Sequence, residues 1–259
     1  MIDSLLAPVR ALNHLNMEIN IYGIMMVGGF VLSILLLIVL SVKYKTDLDN
    51  SVYIFVFACI GALIGAKLLY LVVSCPQIIE ELKEGEPIEK YITGGMVFYG
   101  GLIGAFIMAF HTAKAYNVNI FDYSKVLLPS GAILSAAGRV GCHFTGCCYG
   151  CEWNWGITYE HSLIAPNGVT LFPTQLTEAS FDIGLALLMI YLGTKEYDGK
   201  SMTKVYLSTY AIFRFLLEFL RGDAARGVYI LSVSQWISIA ILLLIFFKRE
   251  KVQLTEKNL

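Results

Sequence analysis

Long stretches of this chain carry no charge, and nothing else in its sequence restricts the fold as strongly. Ile19 to Val42, Tyr91 to Ala113 and Gly227 to Phe247 contain no Asp, Glu, Lys or Arg, and Ser51 to Ser74 contains only Lys67. About 20 consecutive apolar residues span a bilayer as a helix. A soluble helix of that length would expose a charged face to water. These four runs are therefore expected to cross a membrane. The composition agrees: 57% of the 259 residues are hydrophobic and 15% are charged, where a soluble domain carries about a quarter charged.

Three further segments are apolar but not free of charge. Val126 to Gly138 is too short to span alone and is expected to start near Phe121 and run past Arg139. Leu176 to Leu192 contains Glu178 and Asp182, and Val205 to Leu220 contains Arg214 and Glu218. Ionisable groups at membrane depth cost several kcal/mol unless paired, and they mark function. The expected architecture is an all-α membrane protein of about seven transmembrane helices.

Lysines give these helices a direction. Lys43, Lys45, Lys114, Lys125, Lys195, Lys200 and Lys204 fall in alternate connections, and Lys248, Arg249, Lys251 and Lys257 follow the last span. By the positive-inside rule the N-terminus is outside and the C-terminus cytoplasmic. The opening residues, MIDSLLAPVRALNHL, lack the basic stretch and short apolar core of a cleavable signal peptide. A short helix on the membrane surface and a plain lead-in are both open readings for them. Neither a linker nor an internal repeat divides the chain, so residues 1–259 are read as one polytopic membrane domain. A net charge of −1 with no long basic run argues against a nucleic-acid partner.

The polar residues at membrane depth gather near one end of the predicted spans. Arg139 ends the fourth, Glu178 begins the fifth, Arg214 and Glu218 lie in the outer half of the sixth, and Tyr22 begins the first. In RFLLEFLR, Arg214, Glu218 and Arg221 stand at i, i+4 and i+7, which places them on one helix face. A self-satisfying ion-pair ladder is one reading. The other adds Arg139: two arginines near one acid leave positive charge for an anion, and the guanidinium fork suits a phosphate. The anion available in lipid is a phospholipid headgroup.

Two glycine- and cysteine-rich motifs complete the set. GGMVFYGGLIGA places Gly94, Gly95, Gly100, Gly101 and Gly104 around Tyr99, and such small residues admit either a neighbouring helix or a ligand. The run GRVGCHFTGCCYGCEW holds Cys142, His143, Cys147, Cys148 and Cys151. Its spacing matches no familiar zinc pattern. A metal site on Cys142, Cys147, Cys148 and Cys151, a disulfide in an oxidising compartment, and small residues filling a tight turn all remain open.

With these motifs the chain resembles the bacterial prolipoprotein diacylglyceryl transferase family, as a cysteine-containing, divergent variant. The matching stretches are INIYG, GAKLLY, GGMVFYGGLIG, GRVG followed by GCCYG, Trp155-Gly156, PTQLTEA and FRFLLEFLR, in the family's order over nearly the whole chain. The resemblance implies a seven-helix protein of the bacterial cytoplasmic membrane, with its site facing outward. It implies transfer of diacylglycerol from phosphatidylglycerol to the lipobox cysteine of a preprolipoprotein signal peptide, with release of glycerol phosphate and no cofactor. Tyr22, Arg139, Gly150, Arg214 and Glu218 fall on functional positions. Gly94, Gly95, Gly100, Gly101, Cys142 and Cys147 fall on the substrate side of the same motifs.

The chain also departs from the family. Tyr99 stands where many members have His, Cys142 where they have Asn, and Cys147 where they have Glu. Lys67 replaces an Arg, and Phe172 a His. These exchanges leave Glu218, Tyr99 and His143 as candidates for the acid/base role. A paralogue with another lipid acceptor, and a non-catalytic thiol or metal protein on the same scaffold, are the competing readings.

Overall fold

The computed structural model describes residues 21–85, 87–88, 91, 96–223, 227–228 and 230–257. Gly94, Gly95 and the N-terminal segment 1–15 lie outside the described residues, as do the side chains of the basic tail. The described chain is mostly helical. It separates into two compact units, one of residues 37–127 and one of residues 1–36 with 128–259.

Helix α1 (Ile21–Tyr44) begins the second of these and runs on into the first. Within residues 37–127 follow α2 (Leu48–Val73), α3 (Cys75–Lys83) and α4 (Phe98–Ala115). Asp47 caps α2 by accepting a hydrogen bond from the Asn50 N–H at 2.7 Å, which satisfies a donor the helix leaves open. Helices α2 and α4 approach along a stripe of small residues. A Cβ on Gly100 would lie 2.2 Å from the Gly65 carbonyl oxygen, and one on Gly104 would lie 2.1 Å from that of Gly61. The small-residue motif is thus used for backbone-to-backbone helix packing. Gly101 faces Ala62 and Ala66 in the same stripe. Lys67, in α2, donates to the Tyr91 carbonyl. The predicted third span reaches back to Tyr91, but the helix is in place only from Phe98 onward, and Met96 and Val97 before it are not helical.

The other unit carries the polar residues. A 3-10 turn (Ile120–Tyr123) leads into α5 (Ser124–Thr145), the helix expected to run past Arg139. A strand pair follows, β1 (Glu152–Thr158) with β2 (Thr170–Leu171), antiparallel and interrupted by a bulge. Then come α6 (Thr174–Thr194) and α7 (Gly199–Leu217). Strands β3 (Gly227–Val228) and β4 (Leu231–Ser232) precede α8 (Val233–Lys257). The expected seventh span from Gly227 therefore starts six residues late, because its first residues form a strand pair.

Helices α6 and α7 are joined by a core of Leu185, Met189 and Met202, flanked by Phe181, Tyr206 and Tyr210. Phe181 and Phe213 stack across it, their ring centroids 3.7 Å apart. Helix α1 reaches α5 at two small residues: a Cβ on Gly29 would touch Ala137, and one on Gly141 would touch the Tyr22 ring. By length and composition, Ile21–Tyr44, Leu48–Val73 and Thr174–Thr194 are long and apolar enough to cross a membrane, and Val233–Phe246 is a shorter apolar stretch.

Candidate active site

Alternating helix directions bring the C-terminal end of α5, the first turns of α6, the end of α7 and the start of α8 together at one end of their unit. Each contributes a buried polar side chain. Arg139 of α5 meets Glu178 of α6, with Nη2 to Oε1 at 2.8 Å and both side chains nearly inaccessible. Tyr210 of α7 donates to the same carboxylate oxygen at 3.4 Å. One turn further along α7, Arg214 pairs with Glu218 at 2.9 Å and donates to the Ser234 hydroxyl of α8 at 3.2 Å. Tyr210 is electrostatically coupled to both arginines, so the two pairs form one network.

Within that network some polar atoms are satisfied and others are not. Arg214 is 5% exposed, yet among the described residues its Nε and Nη1 donors have no hydrogen-bond partner. Asp182, one turn after Glu178 and fully buried, has only Ser135 beside its carboxyl group among the described residues. Buried polar groups in native proteins are almost always bonded. A cluster of exceptions in one place marks a site built for something else.

The charge balance differs from the sequence expectation. That reading left two arginines sharing one acid. Instead Arg139 has Glu178, Arg214 has Glu218, and Arg221 forms a two-pronged pair with Asp223 at 2.9 and 2.8 Å. The predicted ladder through Arg221 is also broken. The chain tightens into a 3-10 turn at Glu218–Leu220, and Arg221 adopts extended backbone. What Arg214 offers an anion is therefore unused donors rather than surplus charge.

The cysteine loop closes over this end. Its Cys142, Cys147 and Cys148 sulfur atoms all lie within 4.8 Å of one another, a group that does not include Cys151. All six cysteines are free thiols. The turn is made by Gly146 at φ +75° and by Cys148 at φ +60°, a left-handed conformation that a non-glycine residue adopts only when its surroundings impose it. Those surroundings are the start of α6. The Thr174 hydroxyl donates to the Cys148 carbonyl at 2.8 Å, and Gln175 donates to the Cys147 carbonyl at 2.8 Å. The Cys148 thiol is held well below the ordinary thiol range by hydrogen bonds from Cys142 and Cys147, with the Arg221 and Arg139 charges assisting and burial opposing. Tyr22 lies close enough to Arg139 and the three thiols to feel their charges.

Other expected residues have quieter surroundings. His143 is buried against Tyr159, whose hydroxyl donates to the His143 carbonyl at 3.0 Å and lies 3.5 Å from Nδ1. Burial pushes that tyrosine up to about 12. Gly150 bridges to Arg221, and a Cβ there would lie 2.3 Å from the Phe172 carbonyl oxygen, so close backbone packing alone requires a glycine. Cys151 acts through its backbone, which bonds to Leu220 and Phe172. Tyr99 opens α4 in the other unit. Phe172 packs its ring against the edges of Trp153 and Trp155.

Among the network's members, Tyr210, Asp182 and Ser234 were not singled out from sequence as site residues. Tyr210 had a signal: 210, 214 and 218 repeat at i, i+4. Ser234 had none.

Comparison with known proteins identifies the family over nearly the whole chain. The family described as prolipoprotein diacylglyceryl transferase matches residues 10–248. A phosphatidylglycerol–prolipoprotein diacylglyceryl transferase of Clostridium tetani is 32% identical over 87% of this chain and 90% of its own length. A second such protein, from Clostridium perfringens, is 31% identical over 88% of each. One from Finegoldia magna is 30% identical over 95% of this chain and 98% of its own.

Proposed function

The chain belongs to the prolipoprotein diacylglyceryl transferase family, and from that premise we propose that it moves the diacylglyceryl group of phosphatidylglycerol onto the lipobox cysteine of a prolipoprotein. The acceptor sulfur attacks the glyceryl carbon, the carbon–oxygen bond to phosphate breaks, and glycerol phosphate leaves with the bonding pair. A phosphodiester of one negative charge becomes a monoester that carries more. The chemistry therefore calls for donors poised where phosphate charge grows.

The observation that carries this reading is the pair of unused Arg214 donors, Nε and Nη1, buried at the end of α7 beside the Arg139–Glu178 pair. These two donors point to different sides of the guanidinium, so each offers an anion a separate charge-assisted hydrogen bond. Arg214 donates to the headgroup phosphate through one of these free N–H groups. Arg139 lies between the phosphate and the cysteine loop, with Glu178 and Tyr210 fixing its orientation. Glu218 orients Arg214, and Tyr22 closes the site from α1. The acceptor is the signal-peptide segment of the prolipoprotein, entering from the lipid. Glu218 and His143 are the candidates in this unit to receive its proton.

In the membrane the protein is read as one seven-span domain of the bacterial cytoplasmic membrane, N-terminus outside and C-terminus cytoplasmic. Lys195, Lys200 and Lys204 lie at the ends of α6 and α7 remote from the ion pairs. With lysine cytoplasmic, the paired arginines face outward.

Expression in a bacterium depleted of its own transferase tests the activity. Restored maturation of lipoproteins is expected; unlipidated precursor accumulating despite good expression would refute it and leave a paralogue with another acceptor.

A further inference from the structure

The three-thiol cluster is not explained by a phosphate grip. We propose that Cys142, Cys147 and Cys148 form a three-thiolate site for a thiophilic d10 divalent ion of the zinc class, whose fourth position takes the acceptor cysteine and presents it as thiolate. This rests on the transferase reading for the identity of the acceptor, but the metal site itself does not.

Geometry is the first support. The three sulfur atoms already lie within 4.8 Å of one another. Zinc–sulfur bonds of about 2.3 Å put sulfurs of one tetrahedron about 3.8 Å apart. Closing the difference takes small side-chain rotations and no backbone rearrangement. Neighbouring residues rarely aim at one point, and here a left-handed backbone at Cys148 after a left-handed Gly146 lets Cys147 and Cys148 do so.

The supporting shell comes second. Gln175 and Thr174 grip the carbonyls of Cys147 and Cys148 from outside, and Thr145 Oγ1 lies 3.3 Å from the Cys147 sulfur. Outer partners of this kind hold metal ligands in place. Arg139 and Arg221 are each paired with a carboxylate, and the Arg221 contact to the Cys148 sulfur is the one that an ion there would replace.

The count is the third. Structural zinc sites are closed by four protein ligands, whereas catalytic ones keep three and an open position. Among the described residues Cys151 is outside the group and the His143 ring lies against Tyr159. The open position matches the difficulty of the reaction. A thiol attacks carbon only as thiolate, and a metal lowers the cost of losing that proton. On coordination the acceptor S–H passes its proton to Glu218 or His143, the candidate acceptors. The metal-held sulfur then forms its bond to the glyceryl carbon as the carbon–oxygen bond breaks, and the neutral thioether, a weaker ligand, departs. No oxidation state changes.

The full-length protein, purified in phosphatidylglycerol nanodiscs under reducing conditions, should bind one Co(II) probe ion with a thiolate-to-metal charge-transfer band. Zn(II) should displace it, and a lipobox peptide with a free thiol should shift it. Cys142→Ser, Cys147→Ser and Cys148→Ser should each lose the band, while Cys151→Ser keeps it. X-ray absorption of the Zn(II)-loaded wild type, which needs no variant, should count three sulfur neighbours, and four with the peptide. No thiolate band, a band surviving Cys148→Ser, a disulfide that excludes the ion in reduced protein, or full transfer by metal-stripped protein would each overturn the proposal. A peptide-shifted band without any transfer would support the site and refute the transferase reading instead.

Discussion

Arg139 and Glu178 are buried together, so removing one strands the other. Arg139→Ala should cost about 3–5 kcal/mol of stability and lower transfer by at least about 100-fold, read by thermal unfolding and initial rates at matched protein. Arg139→Lys keeps the charge but not the planar fork. It should stay folded and remain at least about 10-fold slow; a wild-type rate would remove the headgroup role. Asp182 behaves in the opposite way. Its carboxyl group is fully buried with only Ser135 beside it and no basic partner among the described residues, and such a group destabilises the fold it occupies. Asp182→Asn should leave the unfolding midpoint unchanged or raise it, and a fall of several degrees would show that the acid is needed structurally. Arg139, Arg214 and Glu218 were legible in the sequence because charges stand out in apolar runs. The Arg214–Glu218 pair was legible at i, i+4, but the pairing of Arg139 with Glu178 was not, since that is settled between helices. Tyr210 looks like any interior tyrosine until Glu178 is placed beside it.

Helix packing and helix ends carry the next predictions. A methyl added at Gly100 would collide with the Gly65 carbonyl oxygen, whereas one at Gly28 meets nothing within 4 Å. Gly100→Ala should lower stability by about 1–3 kcal/mol, and Gly28→Ala should not. Equal melting of the two would remove the α2–α4 stripe from the account. At the start of α7, Asp198 accepts from the Lys200 and Ser201 N–H groups at 2.8 and 3.2 Å, which together with the Ser201 side chain lowers its affinity for protons. A depressed carboxylate contributes above its unfolded value, near about 4, and loses that contribution as pH falls through its folded value. Stability of the wild type relative to Asp198→Ala should thus be larger at pH 6 than at pH 3; a difference independent of pH would contradict the cap. Element identities were readable from the apolar runs, since length alone marks a span. The errors came at their ends. Periodicity assumed that α7 continues to Arg221, but the backbone tightens at Glu218 and Arg221 turns away to Asp223. Strands β1 to β4 are short and lack clear alternation, and they gave no signal.

At the scale of the molecule, family membership and buried polar helix ends support one account: a membrane enzyme that grips a lipid phosphate while a thiol displaces it. Its sidedness is open to test with single reporter cysteines in an otherwise cysteine-free background. A membrane-impermeant maleimide should label Trp155→Cys from outside intact cells and Lys200→Cys only from inside-out vesicles; the reverse would invert the topology. The central claim is tested most directly by reconstituting the purified protein with phosphatidylglycerol and a lipobox peptide, then counting products. Wild-type protein should form one thioether-linked diacylglyceryl peptide for each glycerol phosphate released, and Arg214→Lys, folded to the same extent, should form almost none. Undiminished release by Arg214→Lys, or modified peptide without stoichiometric glycerol phosphate, would contradict it.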